Sequence, residues 1–141
     1  TRACVISGWK AIKVNASGNR TFEGTISSGA ITSTGLTISG QQKSNIVAVA
    51  ALDVDCSLGN YFTKTISGNS TFTFSNVPAT SSYSFILELT HTSGTITWPA
   101  SVQWPNSSTP ALTTGKTHLF VFITDDAGAR WRGSSSINYL S

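Results

Sequence analysis

The amino-acid sequence predicts an all-β protein, and three observations lead to that prediction. Short apolar segments alternate with polar residues at a period of two, and Gly, Asn, Ser and Pro separate them. Ser and Thr account for 42 of the 141 residues, and Thr favours strands whereas Ser favours turns. No segment of useful length carries apolar residues at helical spacing, and only residues 46–54 (IVAVAALDV) are ambiguous.

The first 44 residues differ from the rest of the chain. A strand is predicted within residues 8–14 (GWKAIKV), followed by a turn at 15–19 (NASGN). Glycines then recur every five or six residues between 24 and 40, with single apolar residues between them: Ile26, Ile31, Leu36 and Ile38. So few apolar groups cannot offset the ~1–2 kcal/mol per residue that ordering the backbone costs. Residues 1–44 are therefore predicted to form a short fibre-like β stalk that other copies of the chain complete. Edge strands on a monomeric domain, or a flexible linker, are the alternatives.

Residues 45–141 are predicted to form a compact head, a β-sandwich or jelly roll, because seven or eight short strands follow one another at regular spacing. The segment 118–124 (HLFVFIT) is apolar on both faces, which predicts a central strand that is covered on both sides. The expected strands lie within residues 51–57, 60–66, 70–76, 83–91, 95–98, 118–124 and 130–133. The expected core residues are Trp98, Phe72, Phe74, Phe85, Phe120, Phe122 and Trp131.

The composition excludes some classes of function. The nine Lys and Arg residues are spread thinly, whereas nucleic-acid binding needs a clustered basic surface. No apolar stretch reaches the ~18 residues of a membrane span. A chain with 11% charged residues and so many hydroxyls is typical of rigid extracellular or virion β-structures. Because it begins with Thr and contains no Met, it is expected to be a fragment or a processed product.

Catalysis and metal binding have little support in the sequence. Asp53 and Asp55 share a strand face and could bind a cation or cleave a glycosidic bond, but exposed positions alternating with apolar residues explain them better. Asp125 and Asp126 precede Ala-Gly, where Asp is a natural turn former. His91 and His118 are each isolated from other candidate groups, so no cofactor, metal or catalytic residue is expected.

Two Trp-Pro pairs supply the candidate binding residues. A residue before Pro favours extended geometry, so Trp98 should end a strand and Trp104 a short extended segment at the rim. Trp98 continues the face of Ile96 and is expected to be buried. Trp104 precedes a Ser-rich loop and is expected to be partly exposed, as a plate for a sugar ring or a protein. Asn106, in that loop, and Tyr139 are the other predicted ligand-binding residues.

Several segments of the head resemble a known domain. They are LDVDCSLGNYFTKTISGNSTFTFSNVP, FILELTHTSGTITWPASVQWP and PALTTGKTHLFVFITDDAGARW. Between residues 50 and 133 the chain is similar to a β-rich domain near the C-termini of tail-fibre and other virion-surface proteins of tailed bacteriophages, cyanophages and some large algal viruses. Here Ala127 separates Asp126 from Gly128, a small departure from that pattern. The Gly-Ile repeat is similar to fibre shafts that precede such heads.

The resemblance implies a virion structural protein, assembled in the host cytoplasm and exposed on the particle. The leading hypothesis is the distal, trimeric part of a tail fibre that attaches to a host-surface glycan or protein. The alternative is a capsid decoration or head-fibre protein without receptor binding, and a glycan-processing enzyme ranks far behind. Other copies of the chain and other virion proteins are the expected partners. Assembly in a reducing cytosol implies that Cys4 and Cys56 are free thiols.

Overall fold

A computed structural model of the chain describes residues 12–14, 20–22 and 34–140. The chain divides into two compact units, Thr1–Gly40 and Gln41–Ser141. The division falls four residues before the boundary expected at 44/45.

The first unit contains a pair of short antiparallel strands, β1 (Ile12–Val14) and β2 (Arg20–Phe22). Strand β1 lies inside the segment predicted to be a strand, and the predicted turn at 15–19 lies outside the described residues.

The predicted stalk is only partly described. Residues 34–44 form no strand, and Leu36 and Ile38 are 77% and 48% exposed. Ile26 and Ile31 lie outside the described residues. The β stalk therefore stays a prediction.

The second unit, the head, is built almost entirely from strands, and this confirms the all-β prediction. Within the described residues the one helical element is a single 3₁₀ turn at Pro105–Ser107. The strands of the head are β3 (Ile46–Ala48), β4 (Asp53–Asp55), β5 (Tyr61–Ser67), β6 (Ser70–Thr71), β7 (Thr73–Ser75), β8 (Tyr83–Ser93), β9 (Ile96–Thr97), β10 (Val102–Gln103), β11 (Lys116–Thr124) and β12 (Trp131–Tyr139).

Six of these strands form one sheet in the order β10-β12-β11-β8-β5-β3. Strand β11 pairs antiparallel with β12 and β8, whereas β8 with β5, β5 with β3, and β10 with β12 are parallel pairs. Parallel neighbours need a crossover. The crossover from β5 to β8 carries β6 and β7, and the one from β3 to β5 carries β4. Outside the six-stranded sheet, β4 pairs with β7 and β6 pairs with β9, and both pairs are parallel.

The short strands pack over one face of the six-stranded sheet, called here the inner face. Phe74 in β7 makes edge contacts with Phe85, Phe122 and Trp131 of the sheet, at centroid distances of 5.0–5.2 Å. Every second residue of β8 and β11 is buried on this face, as the period-two pattern predicts. The fully buried large side chains are Trp131, Phe62, Phe72, Phe85, Phe120, Phe122, Leu87 and Leu89.

Two finer expectations differ from this arrangement. Five of the eight strand pairings in the described residues are parallel, whereas β-sandwiches and jelly rolls are built from antiparallel strands, so that topology is not established. Strand β11 is central, as predicted, but it is covered on its inner face alone. Val121 and Ile123, on the opposite face, are 38% and 47% exposed. The prediction of two covered faces is wrong for a single chain, because the crossovers all pass over the inner face.

Candidate functional site

The carboxylates proposed from the sequence as possible cation or catalytic groups are engaged by protein donors. Asp53 accepts hydrogen bonds from the hydroxyls of Thr73 (2.6 Å) and Ser75 (2.5 Å) on the paired strand β7. Asp55 accepts from the Ser57 hydroxyl and backbone N–H, and the hydroxyl lowers the pKa of this carboxyl. The Asp53 bonds hold β4 against β7, and the Asp55 bonds stabilise the turn that follows β4. They explain the acid pair without a ligand.

The second acid pair stabilises the turn between β11 and β12. Asp126 accepts hydrogen bonds from the Thr124 hydroxyl (2.9 Å) and the Arg130 backbone N–H (3.0 Å), and the latter lowers the pKa of its carboxyl. Asp125 lies 3.3 Å from the guanidinium of Arg130 and 3.4 Å from that of Arg132. Among the described residues, no group of three His, Cys, Asp or Glu side chains is placed to hold a metal ion.

Trp98 and Trp104 lie in one aromatic cluster at the edge of the core. Trp98 stacks on Phe72 at 5.3 Å and contacts Phe120 at 4.8 Å, and the two indoles meet edge to face at 5.6 Å. Both side chains are half-buried. Trp98 is therefore less buried than predicted, whereas Trp104 is partly exposed, as expected.

The parallel pairing of β10 with β12 brings Trp104 over Gly133. A Cβ added to Gly133 would lie 2.8 Å from Cζ3 and 3.0 Å from Cε3 of the Trp104 ring. The missing side chain of Gly133 is what admits the indole. A glycine inside a predicted strand signals such a close approach, but nothing in the sequence identifies the approaching residue.

The three predicted ligand-binding residues do not form one site. Asn106 is exposed in the 3₁₀ turn with a left-handed backbone (φ 55°). Tyr139 is 45% exposed and ends β12, six residues beyond the Gly133 that Trp104 covers. At ~3.3 Å per residue this separates them by about 20 Å along the strand.

A cleft of about 300 Å³ opens beside Trp98, and sequence reasoning did not find it. Ile96, Trp98, Pro110 and Leu112 form its apolar lining, and His91 lies among the lining residues although it is only 5% exposed. The burial of His91 could have been predicted from the sequence, because its position in β8 lies on the same face as Phe85, Leu87 and Leu89. The cleft itself joins two segments, residues 91–98 and 109–112, and no local pattern reveals that they meet.

Two histidines lie next to each other at this end of the core. His118 donates from Nε2 to the Thr113 carbonyl and accepts the Asn138 backbone N–H at Nδ1, both at 3.2 Å. Burial lowers the pKa of His118, which has no exposed surface. Its ring lies 6.1 Å from that of His91. His118 thus fixes Thr113 and the segment that leads to the cleft.

The face of the six-stranded sheet opposite the core, called here the outer face, is open and apolar at its centre. Strand register aligns Ile46, Tyr61, Ile86 and Val121 across four strands. This alignment is called here the apolar row. Its ends, Ile46 and Val121, are 69% and 38% exposed.

Polar residues surround the apolar row. The Tyr61 hydroxyl donates to Glu88 at 2.5 Å, which raises the pKa of Tyr61 and removes one free carboxylate oxygen from this face. A groove of about 550 Å³ runs beside the row between Gln42, Asn60 and Ser84.

Cys56 is buried beneath β4 and has no disulfide partner in the described part of the chain; Cys4 lies outside it. Burial raises the pKa of the Cys56 thiol to about 12, with further contributions from Asp55 and Asp53.

Comparison with known proteins adds no relative. No family model matches the chain, and no characterised protein or solved structure is significantly similar to it. In the described residues no helix has the length and apolar character needed to cross a membrane.

Proposed function

We propose that the chain is a homo-oligomeric structural protein of a virus particle, whose head is the distal, receptor-attaching domain of a tail fibre. The observation that carries this proposal is the apolar row on the open outer face. Val121 and Ile123 are exposed on the central strand β11, which the sequence makes apolar on both faces. A monomeric soluble protein rarely leaves such a patch uncovered.

The occupant that fits this face is a second copy of the chain. The sheet has four long strands, which lie about 4.8 Å apart and are some nine residues long. The area of the outer face is therefore roughly 600 Å². That is comparable with the ~800 Å² that each partner contributes to a stable interface. An apolar centre with a polar rim is also the usual composition of an interface. A copy of the same chain brings a matching uncharged row.

Other features support the virion assignment. The surface is rich in hydroxyls and poor in charge. The head resembles domains of phage tail-fibre and virion-surface proteins, and the Gly-Ile segment resembles fibre shafts, from which the trimeric state is taken. The acid pairs of the described residues are engaged in structural hydrogen bonds, so the proposal includes no enzymatic activity.

Antibody fragments against the head provide the test. Fragments raised against residues 41–140 should bind the particles of the virus that encodes the chain and block their adsorption to host cells. Matched fragments against an unrelated capsid protein serve as the control. Binding to the capsid shell without any effect on adsorption would contradict attachment and favour the decoration role.

A further inference from the structure

The cleft beside Trp98 has the composition of a small ligand site. We propose that it binds one neutral sugar ring, with the apolar face of the ring against Trp98 and Leu112 and a ring hydroxyl donating to His91. The inference rests on the proposed attachment function only for the choice of a glycan as ligand. It assigns that role to the cleft and not to Trp104, Asn106 or Tyr139.

The hydrogen bond of His91 identifies its tautomer. Its Nε2 lies 2.8 Å from the Gly94 carbonyl oxygen. A carbonyl can only accept, so Nε2 carries a proton, and in the neutral imidazole Nδ1 then presents a lone pair. This Nδ1 is buried and has no hydrogen-bond partner in the described structure. Buried polar atoms without partners are rare and call for an explanation.

The polar groups of the cleft determine the polarity of the ligand that fits it. The Thr95 hydroxyl donates its proton to Asn69 at 3.0 Å, which leaves its oxygen as an acceptor at the cleft. His91 Nδ1 and Thr95 Oγ1 are thus the two acceptors that a donor of the ligand can satisfy. No charged residue lines the cleft, which disfavours an anionic or cationic group. Hydroxyl groups on a neutral molecule meet these requirements.

The shape and size of the cleft fit a single sugar ring. Trp98 and Leu112 are half-buried, so each presents apolar surface to the cleft. A sugar ring has an apolar face that stacks on such a surface. The cleft volume of about 300 Å³ is at the lower end of ligand sites. It equals roughly ten waters at ~30 Å³ each, which is room for one sugar ring.

The cleft is also held in shape by its surroundings. Gly94 has φ +88°, and an added Cβ there would lie 2.1 Å from the Gly68 carbonyl carbon, so this turn packs tightly. On the other side, His118 holds Thr113 next to Leu112. A site fixed on both sides loses little entropy when a ligand binds.

The test titrates the intact chain with the methyl glycosides of glucose, galactose, mannose and N-acetylglucosamine at millimolar concentrations. Heteronuclear NMR follows the Trp98 indole N–H and the ring nitrogens of His91. At least one glycoside should shift both signals, and the His91 Nδ1 resonance should move in the direction of a newly accepted hydrogen bond.

Two variants make the test specific. Ala111→Trp fills the cleft from an exposed position and should abolish the shifts, whereas Thr114→Trp, exposed outside the lining, should leave them unchanged. Circular dichroism checks that both variants fold. No shift with any glycoside, or shifts that persist in Ala111→Trp, would overturn the inference.

The two proposals fail in distinguishable ways. Host adsorption that antibody fragments block, without glycoside binding at the cleft, refutes only the sugar site. Glycoside binding at the cleft, with adsorption unaffected by the antibody fragments, refutes only the attachment function.

Discussion

The packing of Trp104 on Gly133 gives a prediction that a double-mutant cycle can test. In Gly133→Ala the new methyl would lie 2.8–3.1 Å from three carbons of the Trp104 ring, so the indole must move. Overpacking of this kind costs about 1–3 kcal/mol. Replacing Gly by Ala in an unstrained conformation also stabilises a protein by about 0.4–1 kcal/mol, because Ala lowers the conformational entropy of the unfolded chain. The expected net loss is about 1–2 kcal/mol.

The same substitution should behave differently once the indole is gone. Trp104→Ala alone removes a half-buried ring and should cost about 2 kcal/mol, roughly half the 3–5 kcal/mol of a fully buried aromatic. In that background Gly133→Ala meets no ring and should be neutral or stabilising by up to ~1 kcal/mol. The coupling free energy between the two positions is then about 1–3 kcal/mol.

Equilibrium urea unfolding followed by far-ultraviolet circular dichroism measures all four proteins at one concentration, so that any assembly is held constant. Gly68→Ala is the matched control, because a Cβ there meets no atom within 4 Å. It should cost nothing in either background. An equal effect of Gly133→Ala with and without the indole would refute the packing of Trp104 on this glycine.

Three further results are expected. Burial lowers the pKa of His118 below 6.5, so the unfolded chain takes up the extra proton first, and the free energy of unfolding should fall as the pH drops below about 6.5. Unfolding measured over a pH series should show a smaller slope in His118→Gln, and an unchanged slope would contradict this. With a thiol pKa of about 12, Cys56 should react with iodoacetamide at pH 8 about a thousandfold slower in the native than in the unfolded protein. Peptide mass spectrometry distinguishes the modification of Cys56 from that of Cys4, and equal rates in the two states would show that the Cys56 thiol is accessible. Gly94→Ala adds a backbone clash to a left-handed φ and should lower the free energy of unfolding, measured by heat or urea, by about 2–5 kcal/mol. The control Gly115→Ala has φ +76° and no atom within 4 Å of the new Cβ, so it should cost only about 1 kcal/mol. Similar losses in the two variants would mean that the Gly94 turn can relax.

The strands with a strong period-two pattern were predictable from sequence alone. Strands β5, β8 and β11 lie where the pattern indicates, and Phe85 and Phe122 face the core. Strands β3 and β10 have three and two residues, too short for a periodic signal. Strand β12 continues to Tyr139 through Ser-rich sequence that has no apolar alternation. Its strand conformation comes from pairing with β11, which is a tertiary effect.

The site residues were harder to predict because they depend on long-range pairing. The half-burial of Trp104 follows from the register of β10 on β12. The cleft is lined by both His91 and Leu112, which a loop separates in the chain. Neither contact leaves a local pattern in the sequence. The double-sided apolar character of β11, by contrast, was visible in the sequence, and it predicts a cover that the single chain does not supply.

The mass of the chain in solution tests the central claim most directly, because the apolar row is proposed to be covered by other copies. Light scattering at micromolar concentration should give a multiple of 14.9 kDa, and three times that mass for the trimer. Val121→Lys, which places a charge on the exposed end of the row, should shift the mass towards the monomer. The exposed control Thr114→Lys, outside the sheet, should assemble like the unsubstituted chain. A monomeric unsubstituted chain, or a Val121→Lys variant that assembles unchanged, would contradict the account.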